Sequence, residues 1–290
     1  MHARTYVGVL ATLLCLCGPA AAQTPADHVF LVIVDGCAPR YLQRLDLPNI
    51  RSLVQAGVST DRALTVRPSL TLPATASIVS GLPPSRHSVD WDEWRPDLGA
   101  MRVSSIFTEA RRAGRSCAGF VGPRKLEHLA PAGVFGIFLS FGQTDEVVMS
   151  AALEHLRDPE LRASLYFIHL PDLERAGTRY GWGSMQYMNA VLEVDRQIGR
   201  LLTTISRLGL SNRSAMVITS DHGGEANRHD VYVETIMRVP WIVAGVGVHQ
   251  NYVIPTQVSV IDTAPTVLAL MGISAPESWE GRVPERVLAR

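Results

Sequence analysis

Five short apolar runs, separated by segments of helical periodicity, constrain the fold of this chain more than any other feature. Val29-Phe-Leu-Val-Ile-Val34 is uninterrupted hydrocarbon, and comparable runs recur at Cys117–Val121, Leu165–Leu170, Ala215–Thr219 and Trp241–Ala244. A strand open to water on one face alternates apolar with polar residues, whereas a parallel strand covered on both faces has no reason to. Between these runs, helical patterns cover 50–56, 75–80, 103–113, 146–156, 185–208 and 262–271. The longest carries Met188, Val191, Val194, Ile198, Leu201 and Leu202 close to a 3.6-residue period, which makes one buried stripe. Strands alternating with helices predict an α/β fold, a doubly wound, mostly parallel sheet with helices on both faces. No repeat, low-complexity run or linker interrupts the pattern, so a single domain is expected over 24–290.

Composition excludes several alternatives. With 47% hydrophobic and 19% charged residues, long disorder is excluded. The 27 basic and 27 acidic side chains cancel, which argues against a broad basic face for nucleic acid or anionic membrane. The basic residues are arginines apart from Lys125.

The N-terminus reads as an address. His2 and Arg4, an apolar run from Tyr6 to Cys17, and the small residues Ala20-Ala-Ala22 predict a cleaved signal over 1–22, hence a secreted or periplasmic protein. The apolar run, about a dozen residues, is too short to span a bilayer. Cys15 and Cys17 leave with the signal, and Cys37 and Cys117 read as two buried thiols.

Ligands gather at the carboxyl ends of strands in such sheets. Asp35 ends the first run, Asp172 follows the third, Asp221-His222 follows the fourth, and His229 lies in the same loop. Acids and imidazoles so placed suggest a metal site, although any strand-end Asp taken singly is as readily a helix cap. In Pro68-Ser-Leu-Thr-Leu-Pro73, Thr71 stands at a helix start. A hydroxyl there lies beside unpaired backbone donors and the positive end of the helix dipole, which suits attack on a phosphate. On local grounds alone, Thr71 or Ser69 reads as an ordinary N-cap. His169, inside an apolar strand, reads as a satisfied core residue.

These motifs, in order, resemble a known family. Val32-Ile-Val-Asp-Gly36, Pro68–Pro73 with Ser77–Gly81 and His87, Pro171-Asp172 with Arg175-Ala-Gly177 and Tyr180-Gly-Trp182, Ser220-Asp-His-Gly-Gly224, and Asp262–Leu268 carry the resemblance. The chain is similar to type I phosphodiesterases/nucleotide pyrophosphatases, within the alkaline phosphatase superfamily. The resemblance implies a hydrolase with two ions, usually Zn2+, acting on a small phosphate ester such as a nucleotide. One ion would take Asp35, Asp221 and His222, with Thr71 as ligand and nucleophile, and the other Asp172 and His229.

The chain departs from the family at three points. Thr178 stands where the family carries a histidine for the second ion, and a neutral hydroxyl is a far poorer zinc ligand. Glu174 lies four residues before it, the family spacing for the acid, so Asp172 and Glu174 both qualify. Ala74 replaces an Asn that many members carry. The departures leave open a non-catalytic or one-metal relative that binds a phosphate-containing ligand, or a phosphonate or phosphomonoester hydrolase. Short connections imply a minimal cap, with selection left to the loops at 90–99, bearing Trp91 and Trp94, and 122–136. Cys37-Ala-Pro-Arg40 lacks the serine of a formylglycine sulfatase motif, and no Gly-x-Ser-x-Gly elbow is present.

Overall fold

The five apolar runs become strands of one sheet in the computed structural model, which describes residues 24–142 and 144–289. The expected signal over 1–22 lies outside the described residues. The strands are β1 (His28–Val34), β2 (Gly57–Leu64), β3 (Cys117–Val121), β4 (Ile137–Ser140), β5 (Leu165–Leu170), β6 (Ser214–Thr219), β7 (Arg238–Gly245) and β8 (Tyr252–Val253). Their spatial order is β4-β3-β5-β1-β6-β7-β2-β8. Only β7 runs against the others, pairing antiparallel with both β6 and β2.

β1 explains why its run is continuous. Val29, Leu31 and Ile33 enter one core, while Phe30, Val32 and Val34 enter the other. Helices cover both faces, as expected. The first face receives α2 (Thr71–Ser80), α3 (Ile106–Arg112) and α7 (Thr263–Leu270). The second receives α1 (Pro48–Ala56), α4 (Asp145–Arg157) and α6 (Met185–Arg207), with Leu173 of α5 (Asp172–Tyr180). Cys37 and Cys117 are buried and unpaired, as expected, one in each core.

Three strands and α5 had no signal of their own. β4 stands at one edge and is only half buried, β8 has two residues, and β2 exposes Asp61 and Arg62 midway. β2 is polar over residues 59–62 although its first four residues are buried, and the apolar run of β4, Ile137-Phe-Leu139, is only three residues long. In α5 only Leu173 and Gly177 are buried, so the helix is polar nearly all round.

Candidate active site

The central trio β5-β1-β6 ends in a cluster of polar side chains. Asp35 follows β1, His169 is the penultimate residue of β5, and Asp221-His222 follows β6. The register pairs Ile33 with His169, so Asp35 lies two residues beyond that pair on the same face. The Leu165, Phe167 side of β5 faces the core that α2 also enters, and His169 continues that alternation at the strand end. Asp35, Thr71, His169, Asp221 and His222 are all fully buried.

These five are not satisfied by the protein. Among the described residues, eleven buried side-chain nitrogen and oxygen atoms lack a hydrogen-bond partner, and seven belong to this cluster. They are both Asp35 oxygens, Thr71 Oγ1, both His169 ring nitrogens, Asp221 Oδ2 and His222 Nε2. Buried polar atoms are rarely left unpaired, and such a concentration marks a site for a bound group.

Separations indicate the kind of group. His222 Nε2 lies 3.4 Å from Asp35 Oδ1 and 3.6 Å from Asp221 Oδ2, and His169 Nε2 lies 3.6 Å from Asp35 Oδ2. A direct charge-assisted hydrogen bond would measure about 2.7–2.9 Å. Donors about 2.1 Å from a tetrahedral zinc stand about 3.4 Å apart, so the spacing suits a shared cation. The opposite sides of these groups are anchored. Asp221 Oδ1 accepts from the Gly36 and His222 backbone N–H groups at 3.2 and 3.0 Å. His222 Nδ1 pairs with the Gly223 carbonyl at 2.8 Å, which leaves Nε2 as the lone-pair nitrogen. Burial first, then the charges of Asp221 and Glu174, holds Asp35 well above the ordinary carboxylate range. Burial likewise pushes His169 down to about 4. A cation would reverse the first shift by favouring the ionised carboxylate, and the second already leaves the imidazole neutral, the form that binds a metal.

A second cluster adjoins the first. Ligand atoms of Glu174, His222 and His229 lie within 4.8 Å of one another. His229 Nε2 is 3.3 Å from Glu174 Oε1, and its ring stacks on His222 at 4.2 Å between centroids. Burial would raise Glu174, but the His229 hydrogen bond and nearby cations outweigh it and bring it down to about 2. His229 moves up correspondingly: burial alone would lower it, and Glu174 overrides that.

Asp172 is not part of this cluster. Its Oδ2 accepts the Asp145 N–H, Asp145 Oδ1 accepts the Asp172 N–H, both at 2.9 Å, and Oδ1 of Asp172 faces Arg175. Of the two acids, it is Glu174, in the first turn of α5, whose carboxylate lies beside His229. Asp172, two residues earlier, points at the start of α4. Thr178 is exposed, and its hydroxyl donates to the Glu174 carbonyl at 2.8 Å, within its own helix. His169 is the site residue that sequence reasoning passed over. Its strand position made it a core residue, and only the pairing of β5 with β1 reveals that it is an unsatisfied one.

Thr71 is not an N-cap. It is the first residue of α2, its hydroxyl bonds nothing, and Ser69 Oγ donates instead to the His229 carbonyl at 2.8 Å. The cap comes from a distant loop: Asp92 Oδ1 accepts the Leu72 N–H, and Asp92 Oδ2 pairs with Lys125 Nζ, both at 2.7 Å. The carboxylate at this helix start is thus offset by the Lys125 ammonium. Trp91 and Trp94 pack on His128, with ring centroids 5.6 and 4.7 Å from it, as members of a packed loop.

The motif glycines form a slot for Trp182. A Cβ at Gly224 would stand 1.9 Å from its indole, and one at Gly177 would stand 2.5 Å from it. Trp182 Nε1 donates to the Gly36 carbonyl at 2.8 Å, so one indole ties the loops after β1, β5 and β6 beneath the cluster.

This eight-stranded sheet, with its polar cluster at the ends of the central strands, is an alkaline phosphatase-like fold. Murine ectonucleotide pyrophosphatase/phosphodiesterase 5, solved as an inactive variant in complex with AMP, superposes with a TM-score of 0.73 at 14% identity. The match covers 86% of this chain and 96% of that one. A phosphonate monoester hydrolase from Silicibacter pomeroyi superposes with a TM-score of 0.65 at 19% identity, covering 88% and 75%. The sequence profile for type I phosphodiesterase/nucleotide pyrophosphatase matches residues 29–283, and the chain belongs to that family. Human ectonucleotide pyrophosphatase/phosphodiesterase family member 1 is 25% identical over 236 residues, 74% of this chain and 25% of that protein. Bovine arylsulfatase K is 30% identical over 100 residues, 33% of this chain and 18% of its own length. The chain spans 18–55% of the length of these relatives and mouse family member 7.

Proposed function

We propose that this protein is a secreted, metal-dependent phosphoric ester hydrolase of the phosphodiesterase/nucleotide pyrophosphatase type, with Thr71 as covalent nucleophile. The observation that carries the reading is the concentration of buried, unpartnered donors of Asp35, Asp221 and His222, with an equally unpartnered Thr71 hydroxyl two residues after Ser69, which bonds the His229 loop. Carboxylate oxygens with imidazole nitrogen at tetrahedral-edge spacing favour Zn2+. A bound zinc would supply a Lewis acid that lowers the pKa of the hydroxyl and neutralises charge building on phosphorus.

The chain's own residues do the rest. Asp221 and His222 are pinned on their far sides, so their free atoms face one point without reorganising. Thr71 Oγ1 bonds to phosphorus and the ester oxygen leaves as the alcohol; water then cleaves the phospho-threonine, restoring the hydroxyl and releasing a phosphate monoester. Lys125 neutralises the Asp92 carboxylate that caps the helix start, which keeps that negative charge from opposing a phosphoryl group. Glu174 and His229 form a second, weaker cation position, since Thr178 provides no imidazole. The substrate class is a small phosphodiester or nucleotide; AMP bound to the murine relative supports this reading.

The test is Thr71→Ala assayed on bis(p-nitrophenyl) phosphate with zinc present. Turnover should fall by more than about 1000-fold while circular dichroism stays unchanged. Activity within a few-fold of wild type would remove Thr71 from the mechanism.

A further inference from the structure

His169 has no role in the chemistry above, although its surroundings are unusual for a core residue. It is fully buried, neither ring nitrogen has a hydrogen-bond partner, and Nε2 is aimed at Asp35 Oδ2 from 3.6 Å. A buried imidazole serving only to orient Asp35 would close to about 2.7–2.9 Å and donate to it. One that merely fills space would cost the unmet solvation of two polar atoms, where an apolar side chain of similar size costs none. The distance to Asp35 instead repeats that of His222 to Asp221, 3.6 Å. Ligand atoms of Asp35, His169 and Asp221 also lie within 4.8 Å of one another, about the span of two ligands on opposite sides of one ion.

We infer that His169 is itself a ligand of the buried cation, so that Asp35, Asp221, His222 and His169 hold one ion beside Thr71. The inference rests on the metal-dependent reading above and extends it. Its consequence is a shift of weight between the two positions. The adjoining cluster lacks an imidazole at Thr178, while the buried one gains an imidazole from β5. Such a chain holds its first ion tightly and its second loosely.

Ligand identity can be read without activity. In a His229→Ala background, which leaves His169 and His222 as the imidazoles at the site, one equivalent of zinc is added. X-ray absorption at the zinc edge then counts the imidazoles. Two are expected, and one after the further change His169→Gly, with zinc affinity at least about tenfold weaker by chelator competition. Free imidazole diffusing into the space left by the ring should restore both the count and the affinity. A count of one before the His169 change overturns the inference, and so does a weakened affinity with an unchanged count, which would mark a positioning residue. Because the count is taken with His169 in place, it stands even if the glycine variant fails to fold. If no ion binds the parent protein, the metal-dependent reading falls with it, whereas loss of the His169 contribution alone leaves that reading intact.

Discussion

At the scale of single residues, the departure at position 178 bears on the second cation position proposed above. Residues 174 and 178 lie four apart on α5 and share a helix face, so an imidazole at 178 would stand beside the Glu174 carboxylate. Threonine instead turns its hydroxyl back onto the carbonyls of Glu174 and Arg175. Glu174 and His229 are left as an ion pair that partly neutralises itself. Thr178→His should therefore tighten binding of a second zinc by about tenfold or more in a calorimetric titration, because zinc sites commonly use three protein ligands. A titration unchanged from wild type would mean that side chains at 178 do not reach the cluster. The exposure of Thr178 leaves room for the ring, so misfolding is not the expected failure.

At the scale of elements, two helix starts are wired together. Asp145 opens α4 and Asp172 opens α5, and each accepts the other's backbone N–H. The arrangement buries Asp145, and burial first, then the Asp172 charge, pushes its carboxyl up to about 8. The unfolded chain holds that proton only below about 4. Folding therefore takes up a proton between these values, and the stability it contributes is complete below about pH 4 and lost as pH rises toward 8. Asp145→Asn keeps an acceptor for the Asp172 N–H and cannot ionise. Its Tm should match wild type near pH 5 and exceed it near pH 9. Parallel curves across that range would show that Asp145 is ionised in the native protein.

At the scale of the whole molecule, a single sheet gathers carboxylates and imidazoles separated by more than a hundred residues in sequence. Self-repulsion between Asp35, Asp221 and Glu174 disfavours this gathering, and a cation reverses it, so the folded state should be linked to metal. At a free zinc concentration of 100 times Kd the linkage is about 2.7 kcal/mol, worth on the order of 5 °C in Tm for a domain this long. Chelation should lower Tm by that order, and added zinc should restore it. An unchanged melting curve after verified metal loss would separate the metal from folding.

Much of this molecule was legible in the chain itself. The continuous runs at 29–34, 117–121, 165–170 and 215–219 identified the strands buried on both faces, because burial on both faces forbids polar alternation. Their ends located Asp35, Asp221 and His222, since in such sheets polar groups gather where the apolar run of a buried strand stops. Elements with few or polar residues in the core, β2, β4 and α5, left no such trace. Which of Asp172 and Glu174 faces His229 depended on the direction in which the first turn of α5 points, and no composition encodes that. The unsatisfied state of His169 depended on β5 lying beside β1, a pairing between residues more than a hundred positions apart. Local sequence determines which residues leave water, because transfer free energy belongs to each side chain; which polar groups then meet is decided by strand order and register, which belong to the assembled sheet alone.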